Sequence, residues 1–318
     1  MIGRSFIRAL VVVLLPFCGF PLQEAGAQDQ DAHRIILADK FHDELDRLAG
    51  ELPGILGLEV LDLTNGDRFG VNADLVFPQA SAIKIPILVE LFRQASEGRL
   101  RVEEQLTIEG ESIVGGGYLG HFKPGTSAMS LHDLAILMII RSDNSATNLL
   151  IDRVGMENVT RTMGELGLPS IRLQRMMIRP DMSAIGRENI ATPSDATTLM
   201  ERIYRCDLPM TRPFCEEMQA ILDIPHAGPI QDGIPDGIRV GQKTGTLTGV
   251  RVNWGYVDLP CRPFALVVMG NYSESVIVGE VIQEVTEASY EYFRRLAGAT
   301  DYGVRVRPEL SRDSETKC

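Results

Sequence analysis

The sequence predicts a mixed α/β protein, and three observations carry that expectation. First, a helical run over residues 35–48 precedes an apolar strand pattern at 56–63. An Asn65-Gly66 turn and a second strand near residues 68–72 follow. Second, a β-rich stretch begins at Lys243 and continues through Val250-Arg251-Val252-Asn253-Trp254-Gly255-Tyr256-Val257, then a strand at 264–269 and a helix near 278–296. Third, Ile83, Pro86, Ile87, Leu88, Leu91 and Phe92 read as a largely buried helix between these ends. The apolar run over 134–140 reads as another. Pro86 falls close enough to the helix start to be tolerated.

Composition narrows the setting. Residues 1–27 read as a signal peptide, with Arg4 and Arg8, an apolar run over 9–20 and Ala25-Gly26-Ala27 as a small-residue cleavage site. Phe17 before Cys18 argues against a lipoprotein signal, and Pro16 interrupts a run too short to span a membrane. The expectation is secretion to the periplasm or beyond, with no stable membrane anchor. Loss of Arg4, Arg8 and Glu24 with that segment takes the formal charge from −12 to −13. Such acidity argues against nucleic acid and anionic membranes as partners. Residues 28–304 are expected to form one domain of two lobes, with residues 305–318 as a polar tail.

Three short strings carry the chemistry: Ser81-Ala82-Ile83-Lys84, Ser142-Asp143-Asn144 and Lys243-Thr244-Gly245. The first alone means little, since roughly one copy arises by chance in a chain this long. Each of the others should occur by chance in about one such chain in twenty. A serine hydroxyl needs an adjacent base to become a nucleophile. If Ser81 opens a helix, Lys84 lies one turn on, within reach of its oxygen. Lysine is a base only when neutral, so its pKa must fall through desolvation or a second cation, for which Lys243 is the candidate. Ser142 is placed to relay a proton to the leaving nitrogen. Asn144 can orient Lys84 and a substrate amide, while Lys243 and Thr244 offer donors to a substrate carboxylate. Ser142, Thr246 and Arg251 are further candidates there, although strand alternation could turn Arg251 away. Gly245 lets an edge strand approach the substrate closely. The backbone N–H groups of Ser81 and Thr246 would form an oxyanion hole. For Ser142-Asp143-Asn144, plain helix capping is the competing reading.

The three strings in this order resemble the signature of class A β-lactamases and penicillin-binding proteins. Arg141–Leu150 and Lys243–Arg251 are similar to longer patterns of that family, and the resemblance covers nearly all of the mature length. It implies a five-stranded antiparallel sheet flanked by helices. It also implies an all-helical lobe over roughly residues 85–225 and an active site in the cleft between the two. The implied activity is a serine hydrolase opening β-lactams through an acyl-enzyme on Ser81. In this family a loop glutamate activates the deacylating water, shortly after an arginine. Arg172-Leu173-Gln174-Arg175-Met176-Met177 resembles the entry to that loop, but Met177 stands where the glutamate is expected. Arg187–Pro193 looks like its exit, so Arg175 and Glu188 are expected to pair across its neck. Asp181 is the nearest alternative base, its plainer reading being a solvated loop acid.

Cys206 and Cys215 flank a turn-like link between two helices, as either a disulfide or two free thiols. His33, His42, His121, His132 and His226 form no metal-binding pattern, so no metal or cofactor is expected. Tyr118, after three glycines, lines the cleft mouth or belongs to a flexible surface loop. The alternatives to a β-lactamase are a D-alanyl-D-alanine carboxypeptidase and a non-turnover module binding β-lactam or peptidoglycan peptide. A monomer is expected.

Overall fold

The computed structural model describes residues 24–115, 117–299 and 303–304. In chain order the elements are α1 (Glu24–Glu51), β1 (Ile55–Asp62), β2 (Arg68–Val71), β3 (Phe77–Pro78), α2 (Lys84–Ser96), β4 (Gln105–Thr107) and β5 (Ala128–Ser130). Next come α3 (Leu131–Ile140), α4 (Asn144–Val154), α5 (Met156–Glu165), α6 (Pro180–Ala184), β6 (Ile190–Ala191), α7 (Pro193–Arg205) and α8 (Arg212–Leu222). The chain then forms α9 (Pro229–Asp232), β7 (Val240–Leu247), β8 (Val250–Val257), β9 (Phe264–Asn271) and α10 (Ser275–Leu296). Most of the expected signal segment and all of the expected tail lie outside the described residues. Glu24–Ala27 already belong to α1, which runs further at both ends than its apolar pattern indicated.

Five strands form one antiparallel sheet in the order β2-β1-β9-β8-β7. Successive side chains on a strand point to opposite faces, so each central strand feeds two cores. Phe264, Leu266 and Val268 of β9 pack with Phe41, Leu45 and Leu48 of α1 and Val278 and Ile282 of α10. Ala265, Val267 and Met269 point the other way, into a larger core with α2, α3, α4, α7 and α8. Both faces are covered, which explains the apolar run of β9 and the near-complete burial of β1, whose Glu59 is paired with Arg68. Gly57 of β1 has no Cβ because the Phe77 ring occupies that place.

Every residue of α2 from Lys84 to Ala95 is buried, making it the central rod of the helical lobe. Its buried carboxylate, Glu90, is satisfied by Arg93 (2.8 Å), Gln94 (2.5 Å) and Thr162 (2.7 Å). Cys206 and Cys215 are joined as a disulfide across the link from α7 to α8, with Cα atoms 5.8 Å apart. Among the described residues no helix is long and apolar enough to cross a membrane.

Candidate active site

The three strings meet where β7, the exposed edge of the sheet, faces the start of α2. Ser81 lies in a 3₁₀ turn, Ala80–Ile83, that feeds directly into α2 at Lys84. The nucleophile is therefore one turn before the α-helix proper, and Ala80 before it has φ 47°. That left-handed conformation is unusual for a residue other than glycine and costs on the order of 1–3 kcal/mol. Surrounding bonds hold it. Gln79 receives the Trp254 indole N–H (2.9 Å) and donates to the carbonyl of Phe77 (2.8 Å).

Lys84 is fully buried and gives its hydrogen bonds to the turn after α3: Ser142 O (2.7 Å), Ser142 Oγ (3.1 Å) and Asn144 Oδ1 (3.0 Å). Ser142 itself has φ 53°. The capping reading of this string also holds, because Asp143 Oδ1 accepts the N–H of Ala146 at the start of α4 (2.9 Å). Its Oδ2 accepts from Leu119 N (3.0 Å), tying down the loop that carries Tyr118. One string thus supplies both a helix cap and a hydroxyl bonded to Lys84. The Arg141 guanidinium sits 4.3 Å over the Tyr118 ring, which places that ring beside the Ser142 turn.

Gly245 is where the two halves touch. A Cβ built there would lie 2.6 Å from Gln79 O, 2.8 Å from Ser81 N and 2.9 Å from Ala82 N, so only glycine admits this approach. Lys243 is 1% exposed and donates to Thr244 O (3.0 Å). Burial brings its pKa down to about 7. Burial, reinforced by the Lys243 ammonium, holds Lys84 well below the ordinary lysine range, with Asp143 pulling the other way. Once neutral, Lys84 keeps two N–H donors and gains a lone pair that can take the Ser81 proton.

Arg251 pairs directly across the strands with Thr246, so alternation puts both on the same sheet face as Thr244. The guanidinium crosses Gly279 of α10 and donates to Ser275 O (3.2 Å). Lys243 and Gly245 face the helical lobe instead.

Met177 is held against α4. Its backbone is clamped by Asn148, which accepts from Met177 N (2.8 Å) and donates to Met177 O (3.2 Å). Its side chain is 5% exposed and belongs to the helical-lobe core. Ile178 follows with φ 56°. Arg175 and Glu188 pair across the neck of the loop at 2.8 Å, as expected. Asn189 adds three bonds to the same neck, to Gln174 N, Arg175 N and Arg175 O. Asp181 is exposed on α6 and bound by Arg179 (2.6 Å), which holds its carboxyl down to about 2. Asn148 and Asn189 were missed as site residues. The first shows in sequence only as Asn144 plus four, the same face of α4; the second carries no signal of its own. No group of three or more His, Cys, Asp or Glu able to hold a metal occurs among the described residues.

The chain belongs to the β-lactamase enzyme family, whose model matches residues 40–293. Among solved structures, that of PBP-A is 29% identical with a TM-score of 0.73, covering 80% of this chain and 96% of that one. A single-residue variant of PBP-A, solved as an acyl-enzyme complex with penicillin G, superposes with a TM-score of 0.74 at 29% identity, covering 80% of this chain and 97% of that one. A β-lactamase from Sphaerobacter thermophilus is 28% identical with a TM-score of 0.73, covering 80% of this chain and 97% of that one. The curated β-lactamase SME-1 of Serratia marcescens is 24% identical over 174 residues, which is 52% of this chain and 57% of its own length. The matched part thus spans a little over half of that curated relative.

Proposed function

We propose that this protein is a serine hydrolase that opens β-lactams through an acyl-enzyme on Ser81 and releases the product slowly. The observation that carries this reading is the buried Lys84, bonded to Ser142 and Asn144 one turn from Ser81. Neutral Lys84 takes the Ser81 proton as the oxygen attacks the lactam carbonyl. The resulting oxyanion is held by the N–H groups of Ser81 and Thr246. When the C–N bond breaks, Ser142 protonates the nitrogen and recovers a proton from Lys84. Ser142, Thr244 and Thr246 hold the substrate carboxylate beside Lys243, while Arg251 stays turned to α10. Met177 cannot accept a proton, and an Asp181 carboxyl of about 2 is a weak base, so water attack on the ester lacks a partner.

The test is mass spectrometry of the protein with benzylpenicillin over time. An adduct that forms fast, decays slowly and vanishes in Ser81→Ala is the expected result; an adduct that survives Ser81→Ala refutes it. Met177 also favours a second reading, a D-alanyl-D-alanine carboxypeptidase acting on peptidoglycan peptide, which the likeness to PBP-A supports. Hydrolysis of a D-alanyl-D-alanine peptide faster than of benzylpenicillin would decide for it. Export through residues 1–27, to the periplasm or outside the cell, and a monomeric state complete the proposal.

A further inference from the structure

His226 is a titratable group that the mechanism above does not use, and its surroundings are unusual. It lies between α8 and α9, and its backbone carbonyl accepts from Gln242 Nε2 of β7 (2.9 Å). Two residues on, Gly228 presses against the same strand: a Cβ there would lie 2.7 Å from the Gln242 amide and 2.8 Å from Thr244 Cγ2. The segment from His226 to Gly228 is thus fastened over the residues that flank Lys243. Within the ring, Nδ1 lies 2.8 Å from Ile224 O. A carbonyl only accepts, so Nδ1 carries the hydrogen and the neutral ring presents Nε2 as a lone pair. That Nε2 is buried and makes no well-formed hydrogen bond, the Gln242 backbone being the polar group beside the ring, and the neighbouring Gln242 Oε1 is likewise unpaired. Buried acceptors left unpaired are costly and rare.

We propose that His226 is a proton-uptake residue for anionic ligands. When a carboxylate docks on Thr244 and Thr246, Nε2 takes a proton from solvent, and the imidazolium joins Lys243 as a second cation facing the carboxylate. The inference rests on the carboxylate site of the proposed function and deepens it. Its physical basis is charge balance. In the free protein burial is the main influence that disfavours a positive ring, the Lys243 ammonium on β7 adds to it, and the Ile224 and Gln242 backbones pull the other way without offsetting them. An arriving carboxylate reverses the sign of the local field and makes the second charge favourable. The lone pair then becomes a donor. Discrimination follows, because a neutral ester or amide brings no charge and leaves the ring unprotonated.

The experiment follows the His226 imidazole nitrogens of ¹⁵N-labelled wild type by NMR from pH 5 to 8.5, free and loaded with benzylpenicillin. Benzylpenicillin methyl ester serves as the uncharged control. In parallel, calorimetry on Ser81→Ala in buffers of different ionisation enthalpy counts the protons taken up on binding. The expected result is a His226 pKa about one unit higher with benzylpenicillin and unmoved by the ester, worth up to about tenfold in affinity once the pH has fallen well below both values. His226→Gln should remove that proton and that tenfold, with His226→Asn as a second variant if glutamine disturbs the fold. A Ser81 adduct or bound benzylpenicillin with an unshifted His226, or an equal shift with the ester, overturns this inference alone. Neither binding nor adduct in wild type overturns the proposed function, and this inference with it.

Discussion

Met177 and the two buried lysines decide how far the chemistry runs. A general base typically contributes about 10²–10⁴-fold, so Met177→Glu should speed loss of the acyl-enzyme by that order while hardly changing its formation. The backbone position is already fixed by Asn148, which favours a productive carboxylate. In single-turnover experiments Asp181→Asn should leave deacylation unchanged. A halt there would make Asp181 the base despite its pairing with Arg179. A second prediction concerns pH. Acylation of the free protein by benzylpenicillin needs neutral Lys84 and charged Lys243. Its rate constant at low ligand should therefore climb as Lys84 deprotonates, then fall as pH rises through about 7, where Lys243 loses its proton. An acylation rate that keeps rising past pH 8 would contradict the role given to Lys243. At this scale the sequence was readable because Ser81, Lys84, Ser142 and Lys243 sit in short strings whose spacing is local. His226 and Asn189 were not, since each acts through a partner many residues away.

Elements position these side chains, and the tightest constraint is the approach of β7 to the 3₁₀ turn at Ser81. Gly245→Ala would put a methyl carbon against backbone atoms on the far side, where nothing can rotate away. We expect a stability loss of about 1–3 kcal/mol, seen in thermal or urea unfolding. Acylation should drop by about 10²-fold or more, because displacement of a reacting group by about 1 Å has that effect. An unchanged acylation rate would show that β7 is free to shift. Periodicity located most of the elements around this contact: both terminal strand pairs and the helices before and after the cleft. It misplaced the start of α2, because Ala80 and Ser81 adopt a 3₁₀ turn that apolar spacing does not distinguish from a helical one. Arg251 was the weakest carboxylate candidate in the sequence, and the structure corrects it: strand alternation turns its guanidinium to Ser275 and Gly279 of α10, away from Lys243.

At the scale of the whole molecule, the price of the site is two lysines sealed between two cores. The unfolded chain keeps a proton on Lys243 up to about pH 10.5, whereas the folded protein releases it near 7. Folding therefore expels a proton between those values, and stability rises with pH across that window. Lys243→Met should reduce the slope by the one proton Lys243 contributes, leaving that of Lys84, and raise the unfolding free energy at neutral pH by on the order of a few kcal/mol, while abolishing acylation. Calorimetric melting at pH 7 and pH 9 reads both effects, and a variant less stable than wild type at pH 7 would refute the assignment. The division into two cores also has a consequence for how the chain comes to be assembled. β1 is made early, yet its neighbours on the inner side of the sheet, β9 and beyond it β8, come from the other end of the sequence: Ile55 pairs with Asn271 and Leu58 with Val268. Closing so long a loop is entropically unfavourable until both strands exist, whereas the helical lobe needs mostly near neighbours. The nucleophile's helix can therefore collapse long before Lys243 and the oxyanion donor on β7 arrive beside it. Acyl-transfer competence is the last property the growing chain acquires, and a product stopped short of β7 carries Ser81 and Lys84 without the wall that makes them reactive.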